Sequence, residues 1–267
     1  MAERLEIGDA TLAYEDTGGG DPTVVFIHGL GGSLYRWWGQ LAACRERGYR
    51  GVAYDQRGAG RSDKPPGPYS VEGWAEDLER VLDGRAIERA ALVGHSVGCM
   101  VAEHAAVRLG DRVWALVAFG GALEWRPEAE GVFAERAELA RAGRMEEIAN
   151  TVATTGLSER ARAEDPVLHG VMLELIAANE PEAYARCTEA SAAGSMRELD
   201  RVPCPTLAVA GSEDPVTPPD FAAAIAAAVP RGESAVIEGA AHWSMLEHPR
   251  AVDELLFGFL NRIRGGD

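Results

Sequence analysis

Six short apolar runs, most followed by a stretch with helical spacing, constrain this chain more than any other feature. They are "TVVFIHG" (Thr23–Gly29), "RGVAYD" (Arg50–Asp55), "AALVGH" (Ala90–His95), "VWALVAF" (Val113–Phe119), "TLAVAG" (Thr206–Gly211) and "SAVIEG" (Ser234–Gly239). The first four, runs of β-branched and apolar residues without a polar face, read as strands covered on both sides, and the last two resume the strand rhythm. Helices are expected at about 38–48, from a Ser70 cap to about Leu82, at Val97–Leu109, and at about 218–228 and 249–263. In the Ser70 helix, Trp74, Leu78, Val81 and Leu82 fall on one face. Strands alternating with helices imply a mostly parallel, doubly wound sheet of the α/β class. Residues 4–8 and 10–15 alternate around Gly8-Asp9, as a hairpin would.

The rhythm breaks between Ala122 and Asp200. Strand signals fade there, and Ala, Glu and Arg recur at helical spacing around Phe133, Leu139, Ile148, Val152, Leu168, Met172, Leu175 and Ile176. The expected organisation is a core of residues 1–121 and 201–267 with a helical lid, 122–200, inserted between two strands. An insertion at that point sits most simply over the C-terminal edge of the sheet, where open α/β sheets bind ligands.

A formal net charge of −16 disfavours nucleic-acid and anionic membrane partners. The four cysteines, Cys44, Cys99, Cys187 and Cys204, lack metal-ligand spacing and read as buried, reduced thiols. With a polar, alternating N-terminus and no apolar run long enough to span a bilayer, a cytoplasmic protein is expected.

The junction at "ALVGHSVGCMVAEH" (Ala91–His104) carries the chemistry. Gly94-His95-Ser96-Val97-Gly98 ends a strand and opens a helix. A turn that tight needs small neighbours, and the serine at its tip is held strained, with its hydroxyl out of the sheet. The helix behind it aims N–H groups at the same point. A serine nucleophile needs a base, and the base needs an acid to orient it. Of six histidines, only His242 follows a late strand on a loop of small residues, "EGAAHWSM". Asp214, just past "TLAVAG", is the expected acid; Glu213 beside it and Glu124 after the earlier strand are the alternatives. "HGLGG" (His28–Gly32) supplies a second oxyanion donor, so the hole is assigned to the N–H groups of Leu30 and Val97. No cofactor is expected, since "GGG" at 18–20 opens no helix, and no metal-ligand cluster is visible.

"HGLGG", "DQRGAGRSD" (Asp55–Asp63), "GHSVG", "GSEDPVTPP" and "GAAHWSMLEHP", in this order, resemble the α/β-hydrolases across nearly the whole core. "DQRGAGRSDKPPGPYSVEGWAEDL", "GSEDPVTPP" and the length of the insertion look most similar to the 3-oxoadipate enol-lactonase branch. The resemblance implies a serine hydrolase that cleaves a small-molecule carboxylic ester or lactone through an acyl-enzyme. Cofactor-free perhydrolases of the haloperoxidase type and C–C bond hydrolases use the same triad, and slow ligand receptors share the fold. An enol-lactone substrate carries a carboxylate, which needs a cation; Arg36 and Arg126 are the nearest candidates. Trp125 and Trp243 are the candidate apolar pocket walls, with core packing as the alternative for both.

Overall fold

The computed structural model describes residues 2–266, built on one eight-stranded sheet. Strands β1 (Glu3–Glu6) and β2 (Thr11–Asp16) form the antiparallel hairpin, with Glu3 opposite Tyr14. The strands that follow are β3 (Thr23–Ile27), β4 (Arg50–Tyr54), β5 (Ala90–His95), β6 (Val113–Phe119), β7 (Thr206–Gly211) and β8 (Gly232–Ile237). The spatial order is β1-β2-β4-β3-β5-β6-β7-β8. All pairings from β4 to β8 are parallel, and β2 pairs antiparallel with β4. The chain leaves β3 to one side for β4, then crosses to the other side for β5. That reversal opens a crevice beyond the C-terminal ends of β3 and β5.

Each central strand feeds two cores, because successive side chains point to opposite faces. From β3, Val25 and Ile27 join one core with Trp74, Leu78, Val101 and Ile225, while Val24 and Phe26 join the other with Trp37, Phe257 and Leu260. The first core is closed by α2 (Val71–Gly84), α3 (Val97–Leu109) and α9 (Pro219–Ala228). The second is closed by α1 (Trp38–Glu46) and α11 (Pro249–Gly265). Ser70 caps α2 by accepting from the Gly73 N–H at 3.0 Å, and Trp74, Leu78, Val81 and Leu82 are buried. Burial of each such side chain stabilises the fold by about 1.5–3 kcal/mol.

Between β6 and β7 lie α4 (Glu128–Arg141), α5 (Met145–Gly156), α6 (Glu159–Glu164), α7 (Pro166–Ala177) and α8 (Pro181–Ala193), with no strand among them. Helix α4 packs on α8, and α5 packs on α7. Ile148, Val152, Met172 and Ile176 are buried there, whereas Phe133, Leu139, Leu168 and Leu175 are only partly covered. Sequence periodicity did not reveal α10 (Ser244–Glu247) or the 3₁₀ turn Leu34–Trp37. Both are too short to show a hydrophobic period. All four cysteines are free and buried. Among the described residues, no helix is long and apolar enough to cross a membrane.

Candidate active site

Ser96 sits at the tip of the turn between β5 and α3 with φ +54° and ψ −123°, a strained conformation for a residue with a side chain. The turn closes because its neighbours lack Cβ atoms. A Cβ on Gly94 would lie 2.4 Å from the Gly98 carbonyl oxygen, and one on Gly98 would lie 2.5 Å from that of Ile27. The Ser96 N–H donates to the Phe119 carbonyl at 3.0 Å, tying the turn to the end of β6.

The loops after β7 and β8 bring Asp214 and His242 together. Asp214 Oδ2 lies 2.8 Å from His242 Nδ1, and both side chains are buried. The carboxylate also accepts from the N–H groups of Val216 and Thr217 at 2.8 and 2.9 Å, and from the Thr217 hydroxyl at 2.8 Å. Burial pushes the Asp214 carboxyl up, but the His242 ring and these donors outweigh it and hold it below its ordinary value. An ionised Asp214 accepting at Nδ1–H leaves Nε2 as the ring's free acceptor. Glu213 is exposed, and Glu124 lines a separate cavity behind Trp125. Neither makes a hydrogen bond to His242.

Ser96 and His242 face one cavity of about 680 Å³ without a closed hydrogen bond between them. Such geometry is common in unliganded sites and tightens with substrate. Leu30 and Val97 line the same cavity, and among the described residues neither N–H donates to another protein group. The Val97 N–H is the first of α3, where helix donors have no internal partner. The segment that follows the Leu30 turn is held by Asp55, which accepts from the Leu34 N–H at 2.6 Å and the Arg61 N–H at 2.7 Å. The motif "DQRGAGRSD" is thus a structural support beside the site.

All four proposed pocket residues border this cavity, in different states. Trp243 is buried, with the Arg36 guanidinium carbon 3.3 Å from its ring centroid. Arg36 is only 2% exposed, and its Nε and Nη2 have no partner. Burial lowers its pKa to about 9, so it remains a cation near neutrality. Trp125 donates to the Ser191 carbonyl at 2.6 Å and meets Phe133 edge to face at 5.2 Å. Arg126 is more exposed, lies 3.0 Å from Asp220, and stacks over Phe221. It forms part of the rim, whereas Arg36 is part of the wall.

Sequence reasoning missed three contributors. Thr217 supports the carboxylate, and its spacing three residues after Asp214 is a turn signal. Arg136 also borders the cavity from α4, three residues beyond Phe133 and so on the same helix face. His95 contacts the Trp243 ring edge-on and lies 2.9 Å from the His242 carbonyl through Nε2, joining the serine turn to the histidine loop. Burial, and then the nearby His242, hold its pKa well below the ordinary histidine value, so it stays neutral. No local motif marks that contact, because its partners are 147 residues apart.

A family model described as the alpha/beta hydrolase fold matches residues 22–249. The 3-oxoadipate enol-lactonase 2 of Acinetobacter baylyi is 29% identical, with 97% of each chain covered. A putative carbamate hydrolase of Azorhizobium caulinodans is 27% identical, over 96% of this chain and 97% of that one. Among solved structures, a malate-bound thermophilic esterase from Thermogutta terrifontis superposes with a TM-score of 0.92 at 26% identity, covering 98% of this chain and 99% of its own. The enol-lactonase from Burkholderia xenovorans gives 0.90 at 28% identity, covering 97% and 100%. With the sheet order, the serine turn and the family match in agreement, the chain belongs to the α/β-hydrolase fold family and is a hydrolase.

Proposed function

We propose that the protein is a serine hydrolase that cleaves a small carboxylic ester or lactone bearing a carboxylate. The observation that carries the chemistry is the 2.8 Å Asp214–His242 contact at the cavity onto which strained Ser96 opens. In this reading His242 Nε2 takes the Ser96 proton as Oγ attacks the carbonyl carbon. The Leu30 and Val97 N–H groups hold the oxyanion, and the protonated ring then returns its proton to the leaving oxygen. Water, deprotonated by the same ring, attacks the acyl-enzyme; the acyl–Oγ bond breaks, the ring returns the proton to Ser96 Oγ, and the acid is released. Residues 122–200 act as a lid: α4 and α5 contribute Phe133, Arg136, Val152 and Thr155 to the cavity wall.

The carboxylate preference is supported by Arg36. A buried cation without a carboxylate partner is costly, and an anionic substrate supplies what the protein does not. Names of relatives point the same way, since an enol-lactonase is among them.

The test compares wild type and Ser96→Ala on an anionic enol-lactone, a neutral lactone and a neutral ester, with fluorophosphonate labelling alongside. Ser96→Ala should fold and lose about three to six decades of kcat, and the label should map to Ser96 alone. Retained hydrolysis, or label elsewhere, sinks the triad. Faster turnover of the neutral compounds than of the anionic lactone sinks the carboxylate preference and leaves a general esterase.

A further inference from the structure

The turn that carries the Leu30 N–H packs against the corner between α7 and α8. It runs from Gly29 to Gly32, closed by the Gly32 N–H donating to the Gly29 carbonyl at 3.0 Å. Gly31 occupies its third position with φ +64°, which favours glycine. A Cβ there would lie 2.7 Å from Tyr184 Cε2 and 2.9 Å from Ile176 Cδ1, so α8 and α7 press directly on the turn. Asn179, between those helices, donates from Nδ2 to the Gly31 carbonyl at 3.2 Å. The second hydrogen of the same amide is shared between the Leu175 and Ile176 carbonyls, 2.9 and 3.0 Å from Nδ2, which holds the side chain at the end of α7.

We infer that Asn179 is a positioning residue for the oxyanion hole, and that through it the helical insertion sets the direction of the Leu30 N–H. The inference rests on the serine-hydrolase reading. One peptide plane, Leu30–Gly31, separates the plane of the Gly31 carbonyl from that of the Leu30 N–H, and the Gly32-to-Gly29 hydrogen bond ties those two planes together. Releasing that carbonyl lets the turn rotate, and an oxyanion donor acts only when aimed at the place where charge develops. Such misplacement weakens the transition state while leaving ground-state binding nearly intact. The insertion is therefore part of the catalytic geometry as well as a cover.

Asn179→Asp keeps the size of the side chain and removes its N–H, and Asn179→Gln keeps an amide donor on a longer stem. On a neutral ester, Asn179→Asp should lower kcat about tenfold to a hundredfold with KM within about twofold, a partial form of losing an oxyanion donor. Phosphonylation of Ser96, which also builds a tetrahedral oxygen, should slow in parallel, and Asn179→Gln should recover part of both rates. If Asn179→Asp does not fold, Asn179→Ala lacks the same donor without the added charge and faces the same criteria. Unchanged kcat, a KM effect alone, or a lowered melting temperature with full kcat overturns the inference. Activity surviving in Ser96→Ala removes the reading beneath it instead, so the two failures are distinct.

Discussion

At the scale of single residues, two features of the candidate site are left unsatisfied by the fold. Ser96 holds a positive φ in a turn that its glycine neighbours allow to close, and Arg36 holds a buried charge with two unpartnered nitrogens. Trp243 partly offsets the second through stacking, because a guanidinium over an indole face retains an attractive contact when desolvated. Replacing Arg36 with Met preserves the stem against Trp243 and removes the charge. KM for an anionic lactone should then rise about tenfold to a hundredfold, the equivalent of about 1.5–3 kcal/mol for a charged hydrogen bond. A neutral ester should be spared. Steady-state kinetics on both substrates checks this, and equal effects on the two reassign Arg36 to packing. Stability should hold or rise, since the variant no longer buries an unpaired charge.

At the scale of elements, the insertion contributes a partition. The cavity of about 680 Å³ at Ser96 and a neighbouring one of about 630 Å³ share Trp125, Arg126 and Phe133. Trp125 is pinned to α8 through the Ser191 carbonyl and braced by Phe133 of α4, so the wall is aromatic and held at both ends. Trp125→Ala should join the two spaces. The ratio of kcat/KM for a bulky acyl ester to that for an acetyl ester should rise about tenfold, the scale on which pockets discriminate small apolar groups. A panel of acyl esters reads this, with thermal melting alongside. A large loss of melting temperature with an unchanged ratio assigns Trp125 to the core instead.

At the scale of the whole molecule, the end of β2 carries an ion cluster remote from the candidate site. Asp16 of β2 accepts from Arg50 Nη2 at 2.7 Å and from Arg85 Nη2 at 2.9 Å. Burial raises its carboxyl, but the bond from Arg50, the Gly18 N–H and Arg85 prevail and bring it down to about 2. The folded state therefore favours the ionised form. That stabilisation is complete above the unfolded carboxyl's pKa of about 3.9 and is lost as pH falls through about 2. Asp16→Asn should cost about 1–2 kcal/mol at pH 7, allowing for solvent screening of the half-buried arginines. Urea denaturation of both proteins at pH 7 and near pH 3 should show the gap narrowing. A gap that stays constant or widens on acidification contradicts the assignment.

Much of this was legible in the sequence, for reasons visible in particular residues. Parallel strands are buried on both faces, so "TVVFI", "AALVG" and "VWALVAF" could be read as central strands without partners in view. Gly94 and Gly98 announce the turn at Ser96 because no other residue fits against the Gly98 and Ile27 carbonyls. Those signals are local, and local chemistry is what a sequence records. What touches across the fold was decided by tertiary structure alone. Arg126 looked as suitable as Arg36 for a substrate carboxylate, yet packing sends one to the exposed rim beside Asp220 and buries the other on Trp243, 207 residues further along the chain. Arg136, the His95 link to the His242 carbonyl and the Asn179 grip on Gly31 left no motif either. The sequence by itself determined the sheet, the strained serine and the order of the candidate triad, because each follows from backbone sterics and side-chain periodicity over a few residues. Which cation is buried without a carboxylate partner, and which amide reaches the Gly31 carbonyl, depends on distances between segments far apart in the chain, and only the folded molecule sets those.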